Sequence, residues 1–295
     1  MVAHLPPSIK HLLTLRNPSA RPSPKLQNLH GVLRRTLQDA KSRNAETGWL
    51  VLTTCTLLTV NRPSAVGYLY HFVTSPDTNN IHARANVHIA HAANKAALMR
   101  ESALKSTIFV GVPRVILSLA ALHEALDNEV KAALRTHSQR NMMPENVEST
   151  LLRGKALWNS IYTPHADKLH DKLGSYHPDF ISFIIQSYGS VLAPLPGPIR
   201  TYSDATSVID SHQGNLSRAM GSIVGMATLR SEGGVGPQLT SHTFGLLKAR
   251  YEKDQNQEDA WLSSDEGTEW VIRTVDEILE VVSAEVQDDP VRAKL

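Results

Sequence analysis

Gln238 and His242 stand four residues apart in a stretch that reads as helix, which puts an amide and an imidazole on one face, a turn apart. An imidazole exchanges protons near neutral pH, and an amide beside it can orient the ring or a bound carboxyl. The pair is therefore a candidate acid/base group with its positioning partner; the alternative is a buried histidine that hydrogen-bonds between helices. His71 has less support, because Tyr68, Tyr70 and Phe72 give it the surroundings of ordinary aromatic packing. The one cysteine, Cys55, falls in the apolar run 49–60, where a small thiol suits a packed helix. Alone it forms no intramolecular disulfide, which points to a reducing compartment. His88 and His91 are three apart with His82 nearby, a spacing open to two metal ligands on one helix face, but no Cys, Asp or Glu occurs between 78 and 100 to complete a set. No metal and no cofactor are expected. Gly233, Gly234 and Gly236 follow a helical stretch rather than a strand and read as a turn, not a phosphate loop.

The 295 residues are 41% hydrophobic and 20% charged, with only 5% aromatic, the balance of a soluble globular protein whose core is built from Leu, Ile, Val and Ala. A formal net charge of +2 makes no demand for nucleic acid, and no basic patch interleaved with aromatics argues for it. The charge is polarised. Residues 1–38 hold Lys10, Arg16, Arg21, Lys25, Arg34 and Arg35 with no acid, whereas residues 251–295 hold thirteen acids against four bases. Solvated faces and tails account for this, and guided assembly is the alternative. No apolar run reaches the ~20 residues that span a bilayer, so no membrane span is expected. Ala293-Lys294-Leu295 has the small, basic, leucine form of a C-terminal peroxisomal signal, which implies a peroxisomal matrix location and the import receptor as partner. The basic first segment with Leu12, Leu13 and Leu15 gives mitochondrial targeting as the alternative, opposed by Pro6, Pro7, Pro18, Pro22 and Pro24.

The elements that must position these residues are helices throughout. A proline-rich lead-in, 1–25, precedes helices over 26–42 and 47–60, and a third from Asn61-Arg62-Pro63 onward carries Val66, Leu69, Tyr70 and Val73 on one side. After a loop at 75–80, an Ala-rich helix over 81–110 continues over 114–134. Leu104, Ile108, Val115, Ile116, Leu119 and Leu122 recur across this join at helical intervals, and Gly111 and Pro113 interrupt them, which predicts a kinked, buried helix. The polar segment 136–150 is the best linker, dividing a first unit, 26–135, from a second, 151–286. In the second unit, helices over 151–173 and 178–189 lead to a long turn-rich stretch, 194–215. A stripe of Leu216, Ala219, Met220, Ile223, Val224 and Ala227 follows, with Gly221 and Gly225 open to close packing. The helix of Gln238 and His242, an acidic loop over 252–269, a closing helix over 268–286 and a tail, 287–295, complete the chain. An apolar helix, a break and a histidine-bearing helix occur at 49–71 and again at 220–242, the pattern of a divergent internal repeat.

Gly111-x-Pro113, Asn61-Arg62-Pro63, Arg153-Gly154-Lys155 with Ile161-Tyr162, His177-Pro178-Asp179-Phe180, Tyr188-Gly189 and the segment from Pro237 through His242 together resemble the carboxymuconolactone decarboxylase and alkylhydroperoxidase D-like superfamily, most of all a two-repeat fungal subgroup that includes peroxisomal matrix proteins. The resemblance covers most of residues 45–250. It implies an all-α fold of two divergent repeats, assembly into a homo-oligomer, and a histidine helix lining a small-molecule pocket. This sequence departs from the peroxidase branch, which pairs two cysteines one turn apart with a histidine and an upstream glutamate. The cysteine positions fall on Ser64 and Gly67 and on Val235 and Gln238; the glutamate positions fall on Leu52 and Ile223. Thiolate chemistry has nothing to work with there. Three functions stay open: a cofactor-independent lyase, hydrolase or isomerase of a small acidic metabolite, using His242 and Gln238; a non-catalytic oligomeric binding or assembly protein; and, by family transfer, a peroxidase.

Overall fold

The apolar run around Cys55 forms the centre of the molecule in a computed structural model that describes residues 4–16, 23–75, 85–253 and 255–284. Among the described residues every regular element is helical. In order these are α1 (Pro7–Arg16), α2 (Leu26–Ser42), α3 (Glu46–Thr59), α4 (Pro63–Thr74), α5 (Ala85–Val110), α6 (Val112–Ala125), α7 (Asn128–Ala133), α8 (Val147–Tyr162), α9 (Ala166–Tyr176) and α10 (Pro178–Ser187), which runs into a π-helical turn, Tyr188–Leu192. After an irregular stretch come α11 (Arg218–Glu232), α12 (Gly236–Ala249), α13 (Gln257–Leu262) and α14 (Asp265–Ala284). No helix among the described residues is long and apolar enough to cross a membrane.

Every residue of α3 after Glu46 is buried. Its hydroxyls survive burial by turning back on the helix: Thr54, Thr56 and Thr59 donate to the carbonyls of Leu50, Leu52 and Cys55 at 2.7, 2.8 and 2.7 Å. α11, capped by the Ser217 hydroxyl, which accepts from the Met220 amide at 3.1 Å, is likewise buried from Ala219 through Leu229 and packs along α3. α5 and α14 flank the pair, and α2 closes over α14. One core therefore takes residues from both sides of segment 136–150: Trp49, Leu52 and Leu98 meet Ile223, Val271 and Ile278. Each such side chain stabilises the fold by about 1.5–3 kcal/mol of transfer free energy. A second cluster, with Leu157, Trp158, Ile161, Ile181 and Ile185, joins α8 to α10. There Gly154 and Gly189 let the backbones touch: a Cβ on Gly154 would sit 2.1 Å from the Ile185 carbonyl oxygen, and one on Gly189 2.0 Å from that of Thr150.

Several sequence expectations are corrected. Gly111 and Pro113 do not kink one helix; Gly111 at φ +79° ends α5, and Pro113 lies in the first turn of α6, where its missing N–H costs nothing. The face expected to be buried is partly open, since Ile116 is 59% exposed while Val115 and Leu122 are buried. The helix expected over 114–134 breaks at Leu126, which is extended, and α7 starts after Asp127. The helix expected over 151–173 ends at Tyr162, because the ring of Pro164 and its lack of an N–H stop it. α8 itself opens at Val147, inside the stretch read as linker. The acidic loop over 252–269 contains α13 and the start of α14: Glu258, Asp259, Asp265 and Glu266 occupy first turns, where carboxylates favour the helix dipole. Gly221 and Gly225 face the chain's own interior. A Cβ on Gly225 would lie 2.6 Å from Nδ1 of His242, and one on Gly221 3.4 Å from the Leu192 carbonyl oxygen.

Candidate functional site

His242 lies on α12 where that helix crosses α11, and it is 2% exposed. Its Nε2 is 3.5 Å from the Tyr188 hydroxyl, its ring stands edge-on to Phe109 at 5.0 Å, and its Nδ1 is buried without a hydrogen-bond partner among the described residues. The Tyr188 hydroxyl in turn shares a 3.0 Å hydrogen bond with that of Tyr162. Arg218 supports the cluster, donating from Nε to Ser160 Oγ at 3.0 Å and from Nη2 to the Gly245 carbonyl at 3.2 Å. Burial, and next the charge of Arg218, push the His242 imidazole down to about 3, so the ring is neutral at physiological pH. Burial also drives the Tyr188 phenol well above its ordinary range. Gln238, one turn earlier on α12, is exposed, and no hydrogen bond joins it to His242 among the described residues. The two share a helix but not a site.

Cys55 is buried, its thiol within 3.4 Å of the Ser106 hydroxyl, which donates to it, and burial pushes the thiol up to about 12. It holds no thiolate for redox work at neutral pH. His88 is exposed, whereas His91 Nδ1 donates to the Asp204 carbonyl at 2.9 Å. Among the described residues no three His, Cys, Asp or Glu side chains gather as metal ligands. His82 and the tripeptide Ala293, Lys294 and Leu295 lie outside the described residues.

The structure opens a different site. A cleft of about 690 Å³ runs between α2, the C-terminal turns of α4, α5 and the loop at Tyr202. His30, Arg34, Leu37, Gln38 and Lys41 reach it from one stripe of α2, at helical spacing. His71 and Tyr68 reach it from α4 and Lys95 from α5, and no carboxylate lines it among the described residues. Lys95 is anchored: its Nζ donates to the Val73 carbonyl at 2.7 Å and sits 4.4 Å from the centre of the Tyr202 ring. Burial, and then the charge of Lys41, bring its ammonium down to about 8. His30 Nδ1 and the Tyr68 hydroxyl share a 2.8 Å hydrogen bond. Arg34 and Lys41 extend into the cleft with no side-chain hydrogen bond or ion pair among the described residues, so their donors are available to an anion. Its size is that of small-molecule sites.

Sequence reasoning missed this cleft, although one signal was present. The acid-free, basic stretch 1–38 includes Arg34, and read at helical period it puts His30 and Arg34 on one face. What the sequence lacks is any sign that Lys95 and Tyr202, 107 residues apart, meet that face. No family model matches this chain, and no curated protein or solved structure does either.

Proposed function

We propose that this chain is a binding protein for a small acidic metabolite, which it holds in the basic cleft without transforming it. The observation that carries the reading is the convergence of Arg34, Lys41 and Lys95 with His30 and His71 on one cleft that no carboxylate lines among the described residues. Unbalanced cations gathered at one concave surface cost stability, and an anion removes that cost. The resemblance to the decarboxylase-like superfamily belongs to the same proposal. So do its two divergent repeats, for which the pairing of α3 with α11 at the centre of the core is the support. Assembly into a homo-oligomer and peroxisomal import through Ala293-Lys294-Leu295 are proposed on the sequence alone.

The competing reading makes the chain a cofactor-independent lyase, hydrolase or isomerase with His242 as acid/base and Gln238 as orienting group. The hydroxyl chain from Tyr162 through Tyr188 to His242 favours it; the burial of the ring and the exposure of Gln238 do not. A peroxidase would have to act through one buried, protonated thiol.

Calorimetric titration with succinate and citrate tests the proposal. Wild type binds one of them, and Arg34→Gln and Lys95→Gln each weaken binding about tenfold, the loss of one charge-assisted hydrogen bond. Mass spectrometry recovers the acid unchanged. Affinity untouched by both substitutions overturns the site. Conversion of the acid that disappears in His242→Gln replaces binding with catalysis.

A further inference from the structure

A second concave surface lies on the other side of α5. Arg100 and Leu119 are common to two adjoining clefts, of about 130 and 390 Å³, that also share Arg135. The floor is aliphatic: Leu122, Leu126 and Leu134 are buried beneath it, and Leu104 and Leu119 form its sides. The rim is cationic, with Lys131 joining the two arginines, and His123 lies beside them. Desolvation first holds both guanidinium groups below their ordinary range; the charge of Arg135 lowers Arg100 further and that of Arg140 lowers Arg135, while Glu101 pulls both back up. The acid beside them, Glu101, is already engaged: it pairs with Arg140, and its Oε1 lies 3.5 Å from Lys105 Nζ. Lys105 meanwhile donates to the carbonyls of Val191, Leu192 and Ala193 at 3.0, 2.7 and 3.0 Å, which fixes this acid and base below the surface. Arg135 spends one donor, Nη1, on the His137 carbonyl at 2.8 Å. The Arg100 side chain makes no hydrogen bond or ion pair among the described residues.

Two guanidinium groups with donors to spare, set over a leucine floor, define an anionic head and an aliphatic body in the ligand. Guanidinium forks suit carboxylates through paired N–H donors, and the leucines supply apolar burial that a purely polar acid cannot use. From this we infer that the Arg100 and Arg135 cleft is a second ligand site, for a medium-length aliphatic carboxylate. It is independent of the basic cleft of α2, which offers as many Lys and Arg side chains but fewer aliphatic groups.

The probe is octanoate, titrated calorimetrically into the full chain, with acetate and 1-octanol as ligands lacking the body and the head. Octanoate binds, and each control binds at least about tenfold more weakly. Arg100→Gln, whose side chain holds nothing in the fold, weakens octanoate about tenfold, while Lys95→Gln in the other cleft leaves it unchanged. Octanoate also protects Arg100 and Arg135 from modification by phenylglyoxal, read by peptide mass spectrometry on unsubstituted protein. Absence of octanoate binding, equal binding by Arg100→Gln, or no protection of either arginine overturns the site. Loss of octanoate binding in Lys95→Gln moves the ligand to the α2 cleft and overturns it too. Because succinate and citrate report on the other cleft, this site and the proposed function fail separately.

Discussion

Lys95 sets the pH range in which the α2 cleft attracts anions. With its ammonium brought down to about 8, it is charged at pH 7 and neutral by pH 9. Affinity for a carboxylate ligand is therefore expected to fall between pH 7 and 9 in wild type, and to stay flat there in Lys95→Gln; calorimetry at the two pH values measures it. His242 acts on stability instead. Its folded value, about 3, lies below the ordinary 6.5, so it binds fewer protons folded than unfolded. Stability from this neutral ring is present above pH 6.5 and is lost as pH falls toward 3. His242→Gln is expected to cost about 1–3 kcal/mol at pH 7, through lost packing against Phe109 and Gly225. It should also flatten the acid limb in urea titrations while leaving carboxylate affinity unchanged.

At the scale of elements, helix crossings rest on glycines that no side chain can replace. α8 and the π-helical turn after α10 meet at Gly154 and Gly189 with backbone against backbone. Gly154→Ala would drive its methyl into the Ile185 carbonyl, so the helices must separate, at a cost of about 1–3 kcal/mol. Gly31 in α2 makes the contrast: a Cβ there meets nothing within 4 Å. Gly31→Ala is expected to stabilise by about 0.5–1 kcal/mol, from backbone entropy alone. Urea midpoints of the two variants, moving in opposite directions, check both. The sequence marks Gly154 and Gly189 as members of short motifs, but their packing role follows from the crossing. The break at Gly111 and the stop at Pro164 show the same limit: the residues announce an interruption, and the neighbouring helices decide whether it becomes a kink or two elements.

Across the whole molecule, two carboxylates of α13 tie the central helices together. Glu258 Oε1 accepts from the Gly48 amide at 2.9 Å near the start of α3, and Asp259 Oδ1 accepts from the Ser217 hydroxyl at 2.9 Å, the cap of α11. Burial raises Glu258 from 4.5 to about 7 and Asp259 from 3.8 to about 6. Groups raised on folding contribute stability that is full below their unfolded values and is lost as pH rises through 6 to 7. They therefore oppose His242, and because two raised carboxyls outweigh one lowered imidazole, wild-type stability should rise by about 1 kcal/mol as pH falls from 6.5 to 5. In the Glu258→Gln, Asp259→Asn double variant only the His242 limb remains. Its stability is expected to drop steadily from pH 6.5 downward, as urea midpoints across that range would show.

The sequence specified the all-helical class and most helix starts, though not every helix end or buried face, because a periodicity of 3.6, prolines at helix starts and an unbroken apolar run are local properties that any all-helical packing must respect. It also determined that Cys55 has no redox partner, since a disulfide needs a second sulfur. Tertiary structure alone decided that Gln238 faces solvent while His242 is sealed against Gly225 and Phe109, for position on a helix fixes direction but not what covers it. It alone brought Lys95 and Tyr202 to the basic stripe of α2, and set Arg100 beside Arg135 over leucines. Long-range juxtaposition is settled by how the apolar faces of α3, α5 and α11 fill one core, and no spacing along the chain records that.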